Sequence, residues 1–167
     1  MDGKTTNSNI IAHIFAEKVG GLNYTINVPA VFDLWEAKEL IENERHTKKI
    51  KELADKIDLV ITGVGDLSVG GTAFKSGYCT LAERNYLDSL KIAAIINLSF
   101  IDAQGEEVKT EIDKRIIKIF TLERFKELNN VIGIAFGENK VNPLKAATNG
   151  KIIKYLITDE NTAKKLL

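Results

Sequence analysis

Hydrophobic and polar positions alternate along this chain with two periods, and the periods divide it into helices and strands. Ile10, Ile11, Ile14, Phe15 and Val19 recur at helical spacing behind the polar Asn7, Ser8 and Asn9, and Gly20-Gly21 stops the run. The spacing predicts a helix over 8–19. Leu22 to Val28 alternates and predicts a short strand that Pro29 ends. Residues 33–56 are charged, with Leu34, Trp35, Leu40, Ile41, Ile50, Leu53 and Ala54 as the apolar set. They fit a short helix, a break near Asn43 and a longer helix.

Ile57 to Thr62 is a compact β-branched run of the kind that fills a buried parallel strand. A helix is predicted over 80–90, a strand over 92–101 and a turn at Asp102-Ala103-Gln104-Gly105. Then follow a strand near 115–120, a helix near 122–129, a strand over 131–136 and a helix near 140–149. A strand near 152–157 and a final helix from 159 complete the pattern. Strands that alternate with helices predict an α/β domain with a mostly parallel sheet and flanking helices, Rossmann-like in layout. No repeat, low-complexity tract or proline-rich linker interrupts it.

Composition narrows the function classes. The 167 residues fit one domain with a real core. Lys plus Arg and Asp plus Glu are 23 each, so the chain lacks the basic excess of a nucleic-acid-binding module. The two histidines, His13 and His46, and the single Cys79 show no metal-ligand spacing. An unpaired cysteine fits a reducing compartment, and Cys79 reads as a small half-buried residue rather than a catalytic thiol. No apolar run reaches the roughly 20 residues of a membrane helix, and no signal-peptide pattern opens the chain. The chain therefore reads as cytoplasmic, with no membrane partner and no cofactor.

Candidate chemistry concentrates at strand-to-helix turns. Gly137-Glu138-Asn139-Lys140 follows an apolar strand and opens a helix. Free N–H groups there and the Lys140 charge suit a phosphate or carboxylate ligand at the carboxyl edge of a parallel sheet. An ordinary turn with a surface lysine fits the same residues. Gly63-Val64-Gly65-Asp66 begins an irregular stretch holding five glycines (Gly63, Gly65, Gly70, Gly71 and Gly77). That is a candidate ligand-facing loop or a purely geometric turn, and it lacks the full GxGxxG dinucleotide pattern. Asp102 suits ligand hydroxyls or, more simply, a turn aspartate. Gly3-Lys4-Thr5-Thr6-Asn7 offers either a phosphate cradle or a frayed terminus. Thr158-Asp159-Glu160, with Lys164 and Lys165 in the last turn, is good helix-end chemistry that needs no functional reading.

In their order, these pieces resemble the effector-binding domain of SorC-type transcriptional regulators. The resemblance runs through Gly63-Val64-Gly65, Phe100 to Gly105 and Arg115 to Ile119. It is strongest in Val131 to Lys140 with Leu156 to Leu167. It implies a fold akin to sugar-phosphate isomerases and CoA transferases, and a single effector domain over 1–167. It also implies a phosphorylated-sugar ligand and an assembly of several copies. Carried over by residue, Lys140 with Gly137 resembles the ligand lysine turn aimed at a phosphate. Asp102 resembles the aspartate facing sugar hydroxyls, and Gly63, Gly65 and Asp66 the glycine turn beside the ligand. Thr5 and Thr6 are the nearest remnant of a phosphate loop, and Arg115 matches an arginine of unassigned role.

The resemblance has three departures. The winged-helix module through which such regulators reach DNA is absent, and so is the family's first strand. Ala94-Ile95 stands where relatives usually carry glycine-aspartate. The rival reading is a sugar-phosphate isomerase of the related fold. Its base would come from Asp66, Asp102 or Glu138.

Overall fold

Three apolar runs converge on one parallel sheet. The computed structural model describes residues 8–68, 71 and 77–167. Strands β1 (Leu59–Gly63), β4 (Asn130–Ile134) and β5 (Tyr155–Ile157) lie in the order β1-β4-β5, all parallel. A two-stranded antiparallel hairpin, β2 (Ala94–Ile96) and β3 (Ser99–Ile101), stands beside them. Helices α1 (Ser8–Val19), α2 (Trp35–Asn43) and α3 (Arg45–Ala54) precede the sheet. Helix α4 (Leu81–Ser89) comes before the hairpin and α5 (Leu122–Glu127) before β4. Helix α6 (Val141–Asn149) joins β4 to β5, and α7 (Glu160–Leu166) follows β5. This is the expected α/β architecture.

Two clusters make the core. The larger buries Val131, Leu144, Ala147, Ile152 and Phe125 between one face of the sheet, α6 and α5. There Phe120 and Phe125 meet edge to face at 5.1 Å between ring centres. The smaller joins Leu87 of α4 to Ile95, Phe100, Ile112 and Ile116. Gly105 of the turn after β3 and Gly150 at the carboxyl end of α6 lie backbone against backbone. A Cβ on Gly105, whose φ is +81°, would lie 2.3 Å from Gly150 Cα. The Asp102–Gly105 turn therefore rests directly on the carboxyl end of α6, and Asn149 Nδ2 donates to Ala103 O at 2.9 Å.

Four predicted strands change form. Residues 22–28 run without a sheet partner among the described residues. The 92–101 run reverses at Asn97-Leu98, whose φ values of 48° and 60° make a two-residue hairpin turn without glycine. Residues 115–120 are not a strand either. A 3-10 turn (Glu111–Arg115) leads into one bridge, Val31 to Ile116, flanked by Phe32 N–H to Arg115 O (2.9 Å) and Ile117 N–H to Ala30 O (3.0 Å). In 152–157, Ile152 and Ile153 turn into the core before pairing begins at Tyr155.

The two faces of the sheet differ. Val60, Val131 and Leu156 face the core. The opposite face aligns Ile61, Ile132 and Tyr155, then Gly63, Ile134 and Ile157. Ile61 is 50% exposed and Ile157 55%.

Candidate functional site

Parallel register brings the three strand ends to one level. Gly63, Ile134 and Ile157 are neighbours across the sheet, so their following loops leave from the same rim. After β1 come Val64, Gly65 and Asp66; after β4, Ala135, Phe136 and Gly137; after β5, Thr158 and Asp159. In an open parallel sheet this rim is where ligands bind.

The centre of the rim is an ion pair. Lys140 Nζ donates to Asp66 Oδ2 at 2.6 Å, and Asn139 Nδ2 donates to the same oxygen at 2.9 Å. Asp66 Oδ1 accepts from Ser68 N–H at 2.8 Å, which curls the loop back on itself. The Lys140 side chain is 20% exposed and that of Asp66 12%. Partial burial pushes the Asp66 carboxyl up, but the hydrogen bonds from Lys140 and Ser68 and the Lys140 charge outweigh it. The acid is held below its ordinary range. Lys140 ends a 3-10 turn (Glu138–Lys140) that runs into α6, so its charge sits at the positive end of that helix.

Gly137 has a different task from the one its position suggests. Its φ of +103° favours glycine, and its N–H donates to Asp159 Oδ2 (2.9 Å) and Thr162 Oγ1 (3.0 Å). Asp159 also caps α7 through Thr162 N–H at 3.0 Å. The Thr162 hydroxyl, then the Thr162 and Gly137 amides, hold the Asp159 carboxyl down to about 2. The Gly137 amide is thus already committed within the protein. Glu138 pairs with Lys165 at 2.5 Å, and that hydrogen bond and charge hold its carboxyl below the ordinary range too. Thr158 Oγ1, on the same rim, is buried with no hydrogen-bond partner among the described residues.

The other sequence candidates are spread apart. Gly65 exchanges both backbone hydrogen bonds with Ile95, at 2.8 and 3.0 Å, which staples the β1 loop to the hairpin. The Ile95 side chain is buried in the smaller cluster beside Leu67. Gly63 faces open space: a Cβ there would meet nothing within 4 Å. Asp102 is not brought beside Lys140. Its Oδ1 accepts from Gln104 and Glu106 N–H, both at 2.9 Å, in the turn at the carboxyl end of α6, whereas Lys140 is at the amino end. That helix is nine residues, or about 13 Å, long.

Arg115 lies in another place again. Nη1 donates to Phe32 O at 3.1 Å and Nη2 pairs with Glu83 Oε1. Glu83 completes the capping box of α4 with Thr80. Arg115 therefore joins three segments and points its fork at protein groups. Thr5 and Thr6, with the rest of Gly3 to Asn7, lie outside the described residues, as does Gly70 of the glycine stretch.

The three carboxylates read as candidate bases, Asp66, Asp102 and Glu138, each accept hydrogen bonds from the protein. Burial and the Glu83 charge raise the Cys79 thiol, and His46 Nε2, on α3, lies 3.3 Å from Thr25 O. Among the described residues no group of three His, Cys, Asp or Glu is arranged for a metal, and no helix is long and apolar enough to cross a membrane. Asn139, Asp159 and Thr162 were not candidates from sequence. Only the capping pattern at Asp159 hinted at them.

Comparisons with known proteins agree with this layout. The family model described as "Putative sugar-binding domain" matches residues 1–167. The deoxyribonucleoside regulator of Bacillus subtilis is 28% identical over 154 residues, covering 92% of this chain and 49% of that protein. The sorbitol operon regulator of Klebsiella pneumoniae is 25% identical over 159 residues, covering 95% and 50%. The solved structure of a DeoR family transcriptional regulator from Listeria monocytogenes superposes with a TM-score of 0.89 at 26% identity, covering 96% of this chain and 65% of that one. The chain spans about half the length of the curated relatives it matches.

Proposed function

Because the chain belongs to the sugar-binding domain family of SorC-type transcriptional regulators, we propose that it is the ligand-sensing part of such a regulator, with a phosphorylated sugar as effector. Its relatives are named as regulators, which supports a sensing role over an isomerase. DNA contact falls to a separate module, in keeping with relatives about twice as long as this chain.

The observation that carries the reading is the Lys140–Asp66 pair. An ammonium at a helix start on the carboxyl rim, one-fifth exposed, is held by an internal carboxylate. A phosphate dianion offers more charge and more acceptor oxygens than one carboxylate. The ligand exchanges places with Asp66 on Lys140, and the β1 loop, freed from α6, moves. Gly65 carries that movement to the hairpin through its two bonds with Ile95.

Calorimetry with a panel of sugars, each with and without its phosphate, tests this. Lys140→Ala should weaken the phosphorylated ligands tenfold or more, as loss of a charge-assisted bond worth about 1.5–3 kcal/mol requires. The unphosphorylated sugars should change little. Equal affinity of wild type and variant for every phosphorylated ligand would remove Lys140 from the site.

A further inference from the structure

The loop after β1 runs from one core cluster to the other and is anchored on both sides of Asp66. Val64 is buried in the larger cluster and Leu67 in the smaller one, which also holds Leu87 of α4. Between them, Gly65 is stapled to the hairpin through Ile95, and Asp66 to the start of α6 through Lys140. A further anchor comes from α4, where Arg84 Nε donates to Leu67 O at 3.0 Å. Asp88 Oδ2, one turn along the same helix, lies 3.5 Å from that nitrogen and steadies the side chain. The loop itself is tightly curled. Asp66 Oδ1 accepts from Ser68 N–H, Ser68 O accepts from Gly71 N–H at 2.8 Å, and a Cβ on Gly71 would lie 3.1 Å from Asp66 O. A segment closed on itself in this way shifts as one piece, so a displacement of Asp66 reaches Leu67 instead of being absorbed between them.

We propose that Arg84 is a positioning residue for the rim. Through the Leu67 carbonyl it holds Asp66 against Lys140, and release of that pair passes along the same bond to α4. Helix α4 is then the element that reports what occupies Lys140. This deepens the sensing role proposed above and rests on it only for the trigger. The amino end of α4 is pinned: Thr80 and Glu83 form its capping box, and Glu83 pairs with Arg115, which also holds Phe32 O. The remainder of the helix is tied to the loop by Arg84 and by Leu87, which is 1% exposed in the cluster that contains Leu67. A small apolar cavity of about 20 Å³, lined by Leu67, Leu87, Ile95, Leu98 and Phe100, gives these side chains room to repack. The Arg84 side chain is 28% exposed, and a charged donor on a part-buried carbonyl makes a stronger bond than a neutral one. Coupling carried by such a chain of packed and hydrogen-bonded groups needs an element with two arrangements, and the loop with α4 supplies it.

Hydrogen exchange of the ligand-free chain, read by mass spectrometry, tests this link without any effector. Its outcome is therefore independent of the calorimetry that tests the sensing role. Lys140→Ala breaks the pair and leaves the curl of the loop intact. Amides 85–89 of α4 should then exchange about tenfold faster relative to those of α5. Helix α5, with Leu122 and Phe125 buried in the larger cluster, gauges any general loss of stability. Arg84→Met keeps the apolar stem and removes the donor. In that background Lys140→Ala should leave the ratio of α4 to α5 exchange unchanged, because the link is already cut. Asp66→Asn breaks the same pair from its other side and should reproduce both results. An α4 that ignores Lys140→Ala and Asp66→Asn alike overturns the proposal. An α4 that responds equally with and without Arg84 overturns it as well, since the movement would then travel by another route.

Discussion

Lys140 Nζ lies 2.6 Å from Asp66 Oδ2, across 74 residues of sequence, and this bond ties the loop after β1 to the start of α6. Both groups are mostly withdrawn from water, so removing one partner costs more than it would in a surface bridge. Asp66→Asn should reduce stability by about 1–2 kcal/mol in urea titrations. It should also free the ammonium. Phosphorylated ligands should then bind several-fold tighter by calorimetry, the opposite direction from Lys140→Ala. If Asp66→Asn weakened them instead, the carboxylate would be a ligand contact rather than a competitor.

Gly105 gives the sharpest stability test. An alanine there must adopt a positive φ and place its Cβ within 2.5 Å of Gly150 Cα and Ala146 O, both backbone atoms with no room to yield. Gly105→Ala should cost about 3 kcal/mol or more, combining left-handed strain with overpacking. Gly63→Ala, which meets nothing within 4 Å, is the control and should be far milder in the same denaturation series.

Arg115 separates a structural role from a ligand role. Arg115→Ala removes the fork that holds Phe32 O and Glu83, leaving both acceptors without their cation. The expected loss is about 2 kcal/mol of stability, with Lys recovering part of it. Effector affinity measured well below the melting temperature should stay constant. A loss of affinity without loss of stability would move Arg115 into the binding machinery.

Asp159 predicts a pH dependence with a definite sign. Its folded pKa, about 2, is below the 3.8 of the free acid, so its stabilising contribution is complete above about pH 4 and disappears as pH falls through 2. Asp159→Asn lacks this titration. Its melting temperature should be lower at neutral pH and should decline less steeply than that of wild type between pH 4 and 2. Parallel melting curves across that range would show that the carboxylate does not hold Gly137.

The sequence was most legible where a single local rule was at work. The break between α2 and α3 lies beside Asn43, and the runs around 59–63, 130–134 and 155–157 are strands because apolar runs ending in glycine or a polar cap leave few alternatives. Leu22–Val28 has the right alternation, but a strand also needs a neighbour, and alternation carries no information about one. The reversal at Asn97-Leu98 was hidden because leucine rarely takes a positive φ; packing of Leu98 against the smaller cluster holds it there. At the site, Lys140 could be read as a cation at a helix start. Its occupation by Asp66 could not, nor could the use of the Gly137 amide by Asp159, because those pairings follow from strand order rather than spacing. The same strand order puts Asp102 and Lys140 at opposite ends of α6, although each suited a ligand when read alone.

The order β1-β4-β5 also fixes when the rim comes into being. Its parts come from the loop after β1, from the turn before α6 and from Asp159 at the start of α7. Until β5 has docked and α7 has coiled against it, Gly137 has no cap and the lysine turn has no fixed direction. Under the proposed sensing role, a chain in which β5 has not yet docked cannot hold an anionic effector at Lys140.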